Sequence, residues 1–266
     1  MKTLLTSLFL GATLLSQVAA AEVITDISDW VVENEDTTDA NWTYDGESNS
    51  WFQSVNTSDL TVLYDPSGQS LGKAISGDIS VQTIADDDYI GFVVGYNEGD
   101  KQGGEDTGYL LLSWKQATQG SLTVGMDLFY MENSLYSSSV YGSSSQPISR
   151  SNDYENVGWD DFVEYSFDIA YSGSYLAIYV NDELQYSITP GDAGVETFNE
   201  GSFGFYNFSQ SNVLYGGVEY DEISELLTEA QLTEIASVVP VSGGVGLGLA
   251  MLGFGAWRRK NENRTA

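Results

Sequence analysis

The chain has 266 residues, with 39 acidic and nine basic side chains and neither His nor Cys. That composition excludes a Ser-His-Asp triad, a His-paired or thiolate nucleophile, a disulfide and a Cys/His zinc site, and leaves only oxygen-liganded metals such as calcium or magnesium. Residues 3–257 hold four of the basic residues (Lys73, Lys101, Lys115 and Arg150) against 38 carboxylates, a formal charge of −34 that repels nucleic acid and attracts divalent cations.

In chain order, residues 1–20 have the layout of a secretory signal peptide. Lys2 supplies the positive start and Leu4 to Leu15 the apolar run. Val18-Ala19-Ala20 or Ala19-Ala20-Ala21 fits a small-residue cleavage site. Residues 21–222 are one domain's worth of chain, enough to bury a core. Abundant Tyr and Gly with only four Pro suit an all-β fold with Gly-rich turns. Leu60 to Tyr64 reads as a strand closed by Asp65-Pro66-Ser67-Gly68. Ile79 to Ile84 alternates apolar and polar. Tyr89 to Tyr96 is a nearly continuous apolar run, as expected of an inner strand. Tyr109 to Trp114, Leu122 to Tyr130, Tyr165 to Ile169 and Tyr175 to Val180 follow. Asn181-Asp182-Glu183 reads as a hairpin turn into Leu184 to Ile188. Ser202 to Phe208 and Val213 to Tyr220 complete the set. Many strands at short spacing predict an antiparallel sandwich or a barrel.

Ser137 to Asn156 is Ser-rich and aperiodic, which predicts a long exposed loop. Residues 223–237 read as a stalk, with Glu229 to Ser237 weakly helical behind a Thr228 cap. Val238 to Trp257 carries no charge over 20 positions, the length of a membrane-spanning helix. Arg258-Arg259-Lys260 follow at once. The positive-inside rule then makes residues 258–266 a basic cytoplasmic tail and places the rest outside.

The sharpest local feature is Asp86-Asp87-Asp88. Three adjacent carboxylates repel one another unless a cation neutralises them. In an extended chain Asp86 and Asp88 point one way and Asp87 the other, giving two ligand directions. Calcium takes about 6–8 oxygens, so other loops must contribute. The blander alternative is a solvated turn. Trp114, Trp159, Phe203 and Phe205 are expected in the core rather than as sugar platforms. Lys115, one of few cations in an acidic domain, is expected to pair with a carboxylate. The nearest candidate for catalysis is Glu219-Tyr220-Asp221-Glu222-Ile223-Ser224. A laminarinase-type motif would want a second Glu where Ser224 stands, so the acid/base pair is incomplete.

Four ordered blocks resemble the thrombospondin C-terminal domain. They are Ala85 to Tyr96, Trp114-Lys115-Gln116-Ala117-Thr118-Gln119, Gly158-Trp159-Asp160-Asp161-Phe162, and Gly201 to Gln210. Asn41-Trp42-Thr43-Tyr44 fits the start, and the resemblance covers roughly residues 41–221. It implies an L-type-lectin-like jelly roll that binds calcium, with Asp86, Asp87 and Asp88 as metal ligands, and serves adhesion at a cell surface or in a matrix. Val239-Pro240-Val241-Ser242-Gly243-Gly244, the apolar run and the basic cluster resemble bacterial C-terminal sorting signals. The PEP-CTERM class handled by exosortases and the glycine-pair class handled by rhomboid-like sortases both stay open, as does a retained anchor. Each implies delivery outside a Gram-negative cell. The expected partners are calcium, an extracellular polysaccharide or a surface protein, and the membrane through the C-terminal helix. The alternative is a secreted polysaccharide-degrading glycoside hydrolase on the same kind of sandwich.

Overall fold

Alternating apolar residues need a facing apolar surface, and here two sheets provide it to each other. The computed structural model describes residues 25–33, 40–56, 60–103, 107–132 and 146–223. Its strands in chain order are β1 (Val31–Glu33), β2 (Trp42–Asp45), β3 (Ser50–Gln53), β4 (Leu60–Tyr64), β5 (Lys73–Val81), β6 (Tyr89–Tyr96) and β7 (Tyr109–Lys115). The second half adds β8 (Gly125–Met131), β9 (Ser149–Arg150), β10 (Glu164–Ser172), β11 (Tyr175–Val180), β12 (Glu183–Ile188), β13 (Ser202–Phe208) and β14 (Val213–Glu222). One seven-stranded sheet runs β1-β4-β13-β6-β7-β8-β9, the other β12-β11-β10-β5-β14-β3-β2. Every pairing between these strands is antiparallel. The fold is therefore an all-β antiparallel two-sheet sandwich.

Phe92, Trp114, Phe203 and Phe205 from the first sheet meet Ile75, Phe167, Ile178 and Tyr215 from the second in one core. Trp114, Trp159, Phe203 and Phe205 are all buried, as expected. A second cluster lies on the other face of the first sheet, where Tyr89, Val93 and Tyr96 pack with Val62, Tyr109, Leu111 and Tyr206. Both faces of β6 are thus buried, which is why its sequence does not alternate. Asn181 and Asp182 have φ of 48° and 72°, the left-handed pair of a two-residue hairpin between β11 and β12.

Several expected boundaries are corrected. The strand expected at Ile79 to Ile84 starts at Lys73 and stops at Val81. Its neighbours begin at Glu164 and Val213, so Gln82, Thr83 and Ile84 have no strand to pair with. Leu122 to Val124 lie before the strand, Leu122 held by a bridge to Gln119 across the turn at Gly120 and Ser121, and the Val124 N–H donating to Thr118 Oγ1 at 3.1 Å. The segment expected to be loop through Asn156 contains β9, pinned to β8 because Arg150 Nε donates to Asp127 Oδ1 at 2.7 Å. The expected signal peptide, residues 1–20, lies outside the described residues. So do residues 224–237 of the stalk, the 238–257 helix and the 258–266 tail. Among the described residues no helix is long and apolar enough to cross a membrane.

Candidate metal centre

Register places the acidic triplet. Tyr89 opens β6 and pairs with Lys115, the last residue of β7, so the loop just before β6 lies beside the Lys115 side chain. That side chain is only 1 % exposed. Its Nζ donates to Asp87 O at 3.1 Å, Asp88 Oδ1 at 2.8 Å and Gln119 Oε1 at 2.9 Å, and stands 4.7 Å over the Tyr89 ring. Three acceptors match the three N–H bonds of an ammonium, and the ring face adds a cation–π contact. The expected partner of Lys115 is thus Asp88.

The loop is braced by four further side chains. Asp88 N–H donates to Gln210 Oε1 at 3.0 Å, and Trp159 Nε1 donates to Asp88 O at 3.3 Å. Asn56 Nδ2 donates to Asp86 Oδ2, and Gln119 Nε2 to Asp87 Oδ1. Gln210 is in turn anchored by Gln53, whose Nε2 donates to Gln210 O at 3.0 Å and to Asn207 Oδ1 at 2.9 Å. Lys115 and Gln119, Trp159, and Gln210 come from the second, third and fourth sequence blocks, and all converge on the first.

One oxygen of each of Asp86, Asp87 and Asp88 lies within 4.8 Å of the others. The expected split, with Asp87 facing away, is corrected. The triplet precedes β6 and is not in strand conformation, so the two-residue alternation does not apply. Burial, then repulsion from Asp88 and Asp87, raises the Asp86 pKa above its ordinary value. One ammonium faces three carboxylates, which leaves an excess of two negative charges. The donors are all oxygen, the set a hard divalent cation prefers, so these residues fit calcium. Asn56 and Gln119 escaped sequence reasoning because single amides carry no pattern.

The candidate catalytic stretch gathers differently. Tyr220 points inward and donates to Asp65 Oδ2 at 2.9 Å, while Glu222 pairs with Lys73 at 3.1 Å on the surface. Ser224 lies outside the described residues.

No protein-family profile matches the chain. It is weakly similar to the C-terminal region of thrombospondins. Against thrombospondin-2 of Bos taurus it is 24% identical over 205 residues, 69% of this chain and 16% of that protein. Against thrombospondin-4 of Rattus norvegicus it is 27% identical over 190 residues, 60% of this chain and 18% of that protein. The chain thus spans about a sixth of the length of these relatives. Among solved structures, the carbohydrate-binding module CBM66 from Bacillus subtilis aligns with TM-score 0.49 and 13% identity, covering 74% of this chain and 96% of that one. The alginate lyase Aly36B aligns with TM-score 0.42 and 16% identity, covering 69% of this chain and 87% of that one.

Proposed function

We propose that the sandwich is an extracellular calcium-binding module for adhesion or carbohydrate recognition, of the thrombospondin C-terminal kind. The observation that carries this reading is the convergence of three other sequence blocks on Asp86, Asp87 and Asp88. A buried lysine, an indole and three amides fix a loop whose own charges oppose its folding. Such a loop gains most from a divalent cation. Asp86, Asp87 and Asp88 supply the ligands, Asn56 and Gln119 can turn their amide oxygens inward, and water completes the shell. The chain is exported by its N-terminal segment and held or processed through its C-terminal one. Its partner is an extracellular polysaccharide or a surface protein, and it binds without turnover.

Titration calorimetry with calcium, and melting with and without chelator, test this reading. Binding to the native state alone stabilises by about 3–4 kcal/mol at 100- to 1,000-fold excess over Kd, a melting shift of several degrees. Asp87→Asn and Asp88→Asn should lose most of that shift. Equal shifts in parent and variants, reproduced by sodium chloride at matched ionic strength, would retire the calcium site. A glycan array beside a reducing-sugar assay separates binding from hydrolysis. Sugar release abolished by changing one carboxylate would overturn the binding reading.

A further inference from the structure

Among the described residues, the large exposed apolar side chains are not scattered. Six large ones are exposed among the described residues, and five of them (Val55, Ile84, Val157, Phe162 and Val163) lie on loops at the end of the sandwich that carries Asp86–Asp88. Ile84 is 78% exposed and Phe162 61%. These loops are fastened to one another. Phe162 N–H donates to Val81 O at 2.8 Å, Trp114 Nε1 to Val157 O at 2.9 Å, and Gln116 Nε2 to Asp161 Oδ1 at 3.1 Å. Asn56, next to Val55, holds Asp86. Phe162 has φ of 60°, a left-handed conformation that a bulky residue adopts only at a cost. A glycine would sit there without strain, yet the chain presents an aromatic ring to solvent.

The surroundings are anionic. Asp86, Asp87, Asp88, Asp160 and Asp161 stand among these apolar groups. Lys115 is buried beneath them, and Arg150 is engaged by Asp127 and Glu155. A clustered apolar rim in a field of one sign marks a contact surface. We propose that this end of the sandwich docks a protein segment whose apolar side chains are flanked by basic ones. Charge decides the kind of partner. A second copy of a chain carrying −34 over residues 3–257, or an anionic lipid surface, would meet repulsion where a basic segment meets attraction.

The test runs in chelator, so its outcome is independent of the calcium reading. The probes are a short peptide of alternating Leu and Lys and a Ser/Lys peptide of equal length and charge. The parent should bind the Leu/Lys peptide about tenfold or more tightly than the Ser/Lys peptide. Phe162→Gly and, separately, Ile84→Ser should lose most of that preference while keeping the weak, salt-sensitive binding of the Ser/Lys peptide. Phe162→Gly should melt no lower than the parent, because glycine accepts the left-handed backbone. Variants that keep the full preference would overturn the proposal. So would tighter binding of phosphatidylglycerol vesicles than of the peptide, or self-association that depends on these same side chains.

Discussion

One ammonium among three carboxylates makes the loop at residues 86–88 sensitive to single substitutions. Lys115→Met removes the charge, three hydrogen bonds and the contact with Tyr89, and leaves Asp88 partly buried without its partner. Breaking a fully buried pair costs about 3–5 kcal/mol. The Asp88 side chain keeps 15% of its exposure, so about 2–4 kcal/mol is expected here, a fall in Tm of roughly 5–12 °C. Adding Asp88→Asn to that variant should recover part of the loss in a double-mutant cycle, because the orphaned charge is gone. Strict additivity would show that the pair is not coupled. Asp86 works in the opposite sense. Burial and like-charge repulsion raise its pKa, so its carboxyl holds a proton more tightly in the folded state. The stability this group contributes is present at low pH and is lost as pH rises through the folded pKa. Without calcium, Asp86→Asn should therefore melt above the parent at pH 7, with the gap closing toward pH 4. An unchanged gap across that range would contradict the raised pKa.

At the scale of strands and loops, sequence reading succeeded where a face decides the residue. The bounds of β4, β6, β11 and β13 follow from their apolar runs and the turns that end them. It fell short where a neighbouring strand decides. Lys73 to Asp78 of β5, with Gly77 and Asp78, has weak strand propensity and is strand because β10 and β14 flank it. The two-residue β9 exists because Arg150 reaches Asp127, a pairing across 23 positions that no local pattern encodes. The triplet itself was legible, but its convergence was not, since alternation holds only inside a strand. The block containing Gly158 shows the same division. Its residues were readable as a motif, and their reason is tertiary. A Cβ on Gly158 would stand 1.9 Å from the Gln116 carbonyl oxygen, so only glycine lets this loop lie against the end of β7. That approach is what lets the Trp159 indole reach Asp88 O. Gly158→Ala should push the loop away, lowering stability by about 2–4 kcal/mol and weakening the proposed calcium binding at the triplet about tenfold or more. Calorimetry and melting on the same variant check both. A destabilised variant with unchanged calcium affinity would detach Trp159 from the site.

Over the molecule as a whole, the carboxylates set the surface and the tyrosines set the limit of its pH range. Burial raises the pKa of Tyr89, Tyr96, Tyr109, Tyr171, Tyr186, Tyr215 and Tyr220 above the ordinary phenol value. Nearby carboxylates add to this, Glu33 at Tyr96 and Asp65 at Tyr220. A group with a raised folded pKa contributes its full stability below the unfolded pKa, here about 10, and loses it as pH rises above that value. Each such tyrosine removes roughly 1.4 kcal/mol per pH unit once the unfolded phenol ionises. Seven acting together remove about 10 kcal/mol per unit, comparable to the whole stability of a typical domain. Self-repulsion among the carboxylates pushes in the same direction. Unfolding is therefore expected as a sharp step between about pH 10.5 and 12. Phenolate absorbance should rise in two phases, the more accessible tyrosines first and these seven together with the loss of near-ultraviolet circular dichroism. If all 17 tyrosines instead ionise in one gradual phase near pH 10 while the dichroism persists, the two apolar clusters are open to solvent and the packing described for both faces of the first sheet is wrong.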